Sequence, residues 1–132
     1  MLTPVPPIYR KRRGRAKASG ANPTPPLALT LVEASFATDD YVSVRLTFDR
    51  AVDATGIDGT QITLGVNEFG YLYNATGAVV VLDPQTIEIT CVQIGGFEGE
   101  QSVLNATALS GIVAVDDGGA WAGVNDLALP YP

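Results

Sequence analysis

The stretch 41–48, YVSVRLTF, sets Val42, Val44, Leu46 and Phe48 on one side of the chain and Ser43, Arg45 and Thr47 on the other. A period of two puts alternate side chains on opposite faces of an extended backbone, so this run specifies a half-buried strand and excludes an amphipathic helix. Leu27, Leu29 and Leu31 alternate in the same way, and further strands are expected at QITLGV (61–66), FGYLYN (69–74), AVVVL (78–82), TIEITCV (86–92), SVLNATAL (102–109) and DLALPY (126–131). Gly, Asn, Asp or Pro punctuate the segments between them, as in DATGIDG, NATG, DPQ, GGFEG and DDGG. The pair Asp39 and Asp40 supplies turn chemistry between the first two strands. Seven or eight short strands about ten residues apart, with no helical periodicity longer than a turn or two, predict an all-β fold, a β-sandwich.

Charge and proline divide the chain at residue 26. Residues 9–17, YRKRRGRAK, hold six of the eight Lys and Arg, and six of the nine prolines fall at positions 4, 6, 7, 23, 25 and 26. Residues 27–132 hold all fourteen Asp and Glu against Arg45 and Arg50, a formal charge of −12, behind a segment carrying +6. Proline removes a backbone donor and biases its predecessor toward extended geometry. Residues 1–26 are therefore expected to form an extended basic arm that cannot bury enough apolar surface to order itself alone, and residues 27–132 one folded domain.

Three segments carry a family resemblance: VSVRLTFDRAVDATGIDGTQITL at 42–64, DPQTIEITC at 83–91 and LSGIVAVDDGGAWAG at 109–123. Together they resemble the bacterial immunoglobulin-like domains of surface-layer and adhesin proteins, in which a strand and turn of the form V.LTF...VD precede a strand of the form tv.i.l and a closing sgi.D.aG loop. The resemblance implies an immunoglobulin-like β-sandwich of seven to eight strands. The arrangement of an extended basic arm in front of such a domain resembles the head-decoration, or cement, proteins of tailed bacteriophages.

Composition excludes much chemistry. The chain has no histidine, which removes Ser-His-Asp and Cys-His nucleophile arrangements and the commonest zinc ligand. Lys11 and Lys17, the two lysines, both lie in the arm, and the paired acids Asp39 with Asp40, Glu98 with Glu100 and Asp116 with Asp117 fall in turns rather than on a rigid framework. No enzyme and no cofactor are expected. Asp116 and Asp117 in VDDGGAW are weak calcium candidates, since calcium takes oxygen ligands from Asp-rich loops, although the loop lacks EF-hand spacing. GGFEGE has neither the spacing nor the lysine of a phosphate loop. Cys91 sits in an alternating run and is expected to be a buried small hydrophobe. The proline-rich start is unlike a secretory leader and no run reaches the length of a membrane span, so synthesis in the cytoplasm without membrane insertion is expected, and the two sequons at Asn74 and Asn105 are taken as coincidental.

The arm has no role inside a sandwich, so it is the candidate attachment site: Arg10, Lys11, Arg12, Arg13, Arg15 and Lys17 supply the charge, with Ile8 and Tyr9 as apolar anchors. A nucleic-acid partner is disfavoured because the −12 body would be repelled by the same polyanion. An acidic protein surface fits better, whether another copy of this chain or the major capsid or other virion protein of a shared lattice. The resulting expectation is a virion structural protein that staples neighbouring subunits. The alternative is an adhesin-type module binding carbohydrate or protein through a groove of Tyr71, Tyr73 and Trp121, or a phage tail, neck or fibre component.

Overall fold

The structure, a computed structural model, describes residues 25–37 and 41–130. The expected turn at Asp39 and Asp40 lies outside the described residues, as do the arm residues Ile8 to Lys17. Among the described residues eleven strands follow in order: β1 (Leu31–Phe36), β2 (Ser43–Phe48), β3 (Val52–Asp53), β4 (Ile62–Val66), β5 (Tyr71–Asn74), β6 (Val79–Asp83), β7 (Thr86–Thr90), β8 (Val92–Gly96), β9 (Val103–Ala106), β10 (Val113–Ala114) and β11 (Val124–Ala128). A 3-10 turn at Gly59–Gln61, N-capped by the Asp58 side chain, precedes β4.

The strands form an all-β sandwich. One sheet has the order β1-β2-β7-β6 and the other β11-β9-β4-β5-β8, with every pairing antiparallel, and β10 pairs β3 as a short separate ribbon. The core lies between the sheets. Val44, Leu46, Phe48, Ile87 and Ile89 face inward from the first sheet and Ile62, Leu64, Val66, Tyr73 and Leu104 from the second, in one contiguous buried cluster. The alternation of β2 therefore reads directly into burial: Val44, Leu46 and Phe48 have no exposed surface, while Arg45 points outward beside Glu88 of β7, 3.1 Å away.

The fold differs from the sequence expectation in strand count and in two boundaries. The run TIEITCV is two strands, because β7 ends at Thr90, β8 begins at Val92, and the chain changes sheet at Cys91, whose amide donates to the Val42 carbonyl at 2.7 Å. A continuous period of two cannot show such a switch, since both strands obey it. The ribbon strands β3 and β10 are two residues each, too short for any periodicity. At the start of the domain the Leu27, Leu29, Leu31 alternation does not form one strand: Leu27 is exposed, Leu29 is buried against Trp121 in a parallel bridge, and β1 begins only at Leu31.

Candidate functional site

The described chain starts at a built junction. Arg50, between β2 and β3, donates through Nη2 to the carbonyls of Leu27 at 2.7 Å and Ala28 at 3.2 Å. Its Nη1 donates to Asp116 Oδ1 at 2.7 Å and Asp117 Oδ1 at 3.1 Å. Asp117 in turn accepts the Leu27 amide on Oδ2 at 3.0 Å and the Gly119 amide on Oδ1 at 2.8 Å. The planar fork of arginine suits this arrangement, since one edge serves backbone carbonyls and the other carboxylates.

The electrostatics follow from those contacts. The Leu27 amide, then the Gly119 amide and the Arg50 guanidinium, hold the Asp117 carboxyl at about 2, well below its ordinary 3.8. Burial pulls the Arg50 guanidinium down, and its bonds to Asp116 and Asp117 outweigh that and leave it above its ordinary value. Asp116 and Asp117, the weak calcium candidates of the sequence, are both engaged by an arginine from 66 and 67 positions upstream. Among the described residues no group of three or more His, Cys, Asp or Glu is gathered for a metal. Nothing in VDDGGAW shows that Arg50 faces the loop.

The three candidate contact aromatics do not form a groove. Trp121 is 2% exposed and packs edge-to-face on Phe48 with ring centroids 5.3 Å apart, so it belongs to the core. Tyr73 is buried opposite Leu64, while Tyr71 is 43% exposed; their rings meet edge-on at 6.5 Å, on one face of β5 as the alternation predicts. The aromatic partners that sequence reasoning missed are Tyr41 and Phe69, which join Phe36 in an edge-to-face chain at 5.1 and 5.5 Å. Their separation along the sequence, together with the Tyr41 backbone at φ 60°, gave no periodic signal.

The surface features are shallow. A groove of about 240 Å³ runs between Val52, Asp53, Ala54 and Thr55 on one wall and Val79 and Val81 on the other. Among the described residues no helix is long and apolar enough to cross a membrane.

The chain matches no family profile and no curated protein. Among solved structures it is similar to the N-terminal part of the bacterial S-layer protein SbsC, with a TM-score of 0.52 at 16% identity, over 74% of this chain and 22% of that one. The likeness is one of fold: an all-β domain of a bacterial surface protein that is several times longer than this chain.

Proposed function

We propose that this chain is a non-enzymatic structural module of a repeating protein surface, with residues 27–132 as its body and the basic segment 1–26 as its attachment. The observation that carries the reading is the Arg50 junction. One of the two cations of the acidic body is spent on fixing Leu27 and Ala28, the residues from which a +6 segment departs. A tether transmits force or position only if its root is held, and both peptide groups of Leu27 are held here. The acid-rich exterior keeps neighbouring bodies apart in solution, and attachment through many arms gains from multivalency.

The reading takes two forms. The fold likeness to an S-layer protein favours a cell-surface array. The arm-and-body arrangement favours decoration of a virion, in which the arm crosses and staples capsid subunits. In either form the partner offers an acidic surface. The test is sedimentation of the full chain, and of a full-length variant with Arg10, Lys11, Arg12, Arg13, Arg15 and Lys17 changed to Gln, with the wall fraction and the capsid-sized particle fraction of the source. The natural chain pellets with one of the two fractions, which selects the form, and the neutralised variant stays in the supernatant. Equal pelleting of both proteins, or of neither, rejects attachment through the arm.

A further inference from the structure

Five of the eleven large hydrophobic residues that stand exposed among the described residues lie on β6 and β8, the strands that end the two sheets. Exposed edge strands invite pairing with another chain, and proteins usually blunt them with charge, proline or bulges. Three of the four edges here are blunted. β1 carries Glu33 and a register shift between Leu31 and Glu33; β11 shifts between Val124 and Leu127 and holds Asp126 at φ 52°. β8 ends in Gly95 and Gly96, and its ladder with β5 breaks between Leu72 and Tyr73.

β6 is the exception. Val79, Val80 and Val81 pair in regular register with Ile89, Glu88 and Ile87, the shift comes only between Val81 and Asp83, and residues 79–82 contain four aliphatics with no charge, proline or glycine. Its parity makes Val79 and Val81 inward-facing, in line with Ile87 and Ile89 of β7, yet Val81 is 59% exposed because nothing described covers that end of the sheet. These two valines form one wall of the groove closed on the other side by Val52, Asp53, Ala54 and Thr55. A strand added to β6 would extend the four-stranded sheet and lay alternate side chains into that groove.

The charges around β6 choose between occupants. Asp83 ends the strand, Glu88 faces Val80 from β7, and Asp53 lines the groove. A second β6 would bring the same acids together on bodies that each carry −12. Residues 8–13, IYRKRR, fit better: they contain no proline, every residue has an amide to donate, and a β-prone Ile-Tyr pair is followed by four cations. The root of the arm is held beside the groove, since Arg50 lies two residues before Val52, whose amide donates to the Pro84 carbonyl in the turn after β6. Residues 14–26 with three prolines span roughly 40 Å at about 3 Å per residue. That exceeds the ~13 Å radius of gyration expected of a body of this size. Pro25 and Pro26 bias the chain to leave the body extended rather than to turn back on it.

We propose that the outer edge of β6 receives residues 8–13 of a second copy of this chain as an added strand. The inference deepens the attachment reading above by naming an acceptor for the arm on the protein itself. The test mixes two full-length variants, Tyr9→Cys and Val81→Cys, under diamide oxidation, followed by non-reducing electrophoresis and peptide mapping; the native Cys91 is buried and does not compete. A heterodimer bridged between positions 9 and 81 is expected, in severalfold higher yield than from Tyr9→Cys mixed with Val32→Cys, an equally exposed site on the β1 edge. Val80→Lys placed in the Val81→Cys chain should lower that yield severalfold. Equal yields at positions 81 and 32 overturn the proposal, and so does a Tyr9→Cys/Val81→Cys double variant that gives only an intramolecular bridge. Failure here with arm-dependent pelleting intact removes the β6 acceptor and leaves the attachment reading; a 9–81 heterodimer without pelleting does the reverse.

Discussion

Asp117 and Arg50 take hold of Leu27 from opposite sides of one residue. The carboxylate accepts its amide at 3.0 Å, the guanidinium donates to its carbonyl at 2.7 Å, and the two charges touch each other at 3.1 Å. Isolated surface ion pairs contribute little, because water screens them and two side chains must be ordered to form them. This one differs in that each partner is oriented by backbone: Asp117 also accepts the Gly119 amide, and Arg50 also donates to the Ala28 carbonyl. Its consequence is local, a fixed start to the domain, more than global stability.

Replacing Arg50 by Met keeps the aliphatic stem and removes the fork. Asp116 and Asp117 then face each other without a cation, and Leu27 and Ala28 lose their donor. The expected result is a fall in Tm of a few degrees, with amide exchange greatly accelerated in residues 25–30 and unchanged in β2, β4 and β7. Arg50→Lys should restore the charge and only part of the protection, since an ammonium cannot serve two carbonyls and two carboxylates in one plane. Hydrogen exchange read by mass spectrometry checks both; exchange at 25–30 that ignores both substitutions refutes the junction.

Acid should loosen the domain over a defined window. Asp117 is lowered to about 2 in the folded chain, Asp53 is lowered by the amide and hydroxyl of Thr55, and Asp58 by the hydroxyl and amide of Thr60. A carboxyl whose folded value lies below its unfolded value binds its proton more readily in the unfolded chain. Its contribution is therefore complete above the ordinary value of 3.8 and is lost as pH falls from there toward about 2. Urea midpoints measured from pH 6 down to 2 should decline mainly below pH 4, and Asp117→Asn should make that limb shallower. A decline centred near pH 6 would contradict the assignment.

Trp121 reports on the core. It is buried against Phe48, and its bridge to Leu29 joins the start of the domain to the segment before β11. As the one tryptophan of the chain, it should emit at short wavelength in the native protein and shift to the red on unfolding. Trp121→Ala leaves a large void and should cost about 3–5 kcal/mol in chemical denaturation, among the largest effects of any single substitution here. A native emission maximum like that of free tryptophan would place the ring on the surface and revive it as a contact residue.

Burial pushes the Cys91 thiol up to about 12, so the reactive thiolate is scarce at neutral pH. Native protein should resist iodoacetamide, and labelling should appear in step with urea unfolding. Rapid labelling without urea would mean that the β7–β8 switch opens on its own.

The sandwich was legible in the sequence because its inner faces alternate without interruption: Val44, Leu46 and Phe48, or Ile87 and Ile89, declare their burial by spacing alone. The sheet switch at Cys91 was not legible, since the alternation continues across it. The segment 1–26 stood out by charge and proline. The junction that holds Leu27 did not, because Arg50 and Asp117 are brought together by the closing of β3 on β10, a pairing of two residues that leaves no pattern. The β6 edge had the same blind spot: AVVVL reads as a strand, and only the sheet order makes it an edge.

Gly119 gives the sharpest handle on how Leu27 is held. A Cβ at this position would fall on the carbonyl group of Leu27, so the strand of chain entering the domain and the loop after β10 can cross here only if residue 119 is glycine. Gly119→Ala should therefore expel Leu27 from its place over Asp117, raise that carboxyl toward its ordinary value, and reproduce the fast exchange of residues 25–30 expected for Arg50→Met without touching either charge. Gly118→Ala is the control. Gly118 sits at φ 75° with open space where a Cβ would be, so its substitution carries only the conformational cost of the left-handed region, roughly 1–2 kcal/mol, and leaves Leu27 where it is. If Gly119→Ala retains slow exchange at 25–30 and an unshifted Asp117, the close crossing is not what holds the start of the domain. If it loses both while Gly118→Ala keeps them, a single missing methyl group fixes the position of Leu27 at the start of the domain.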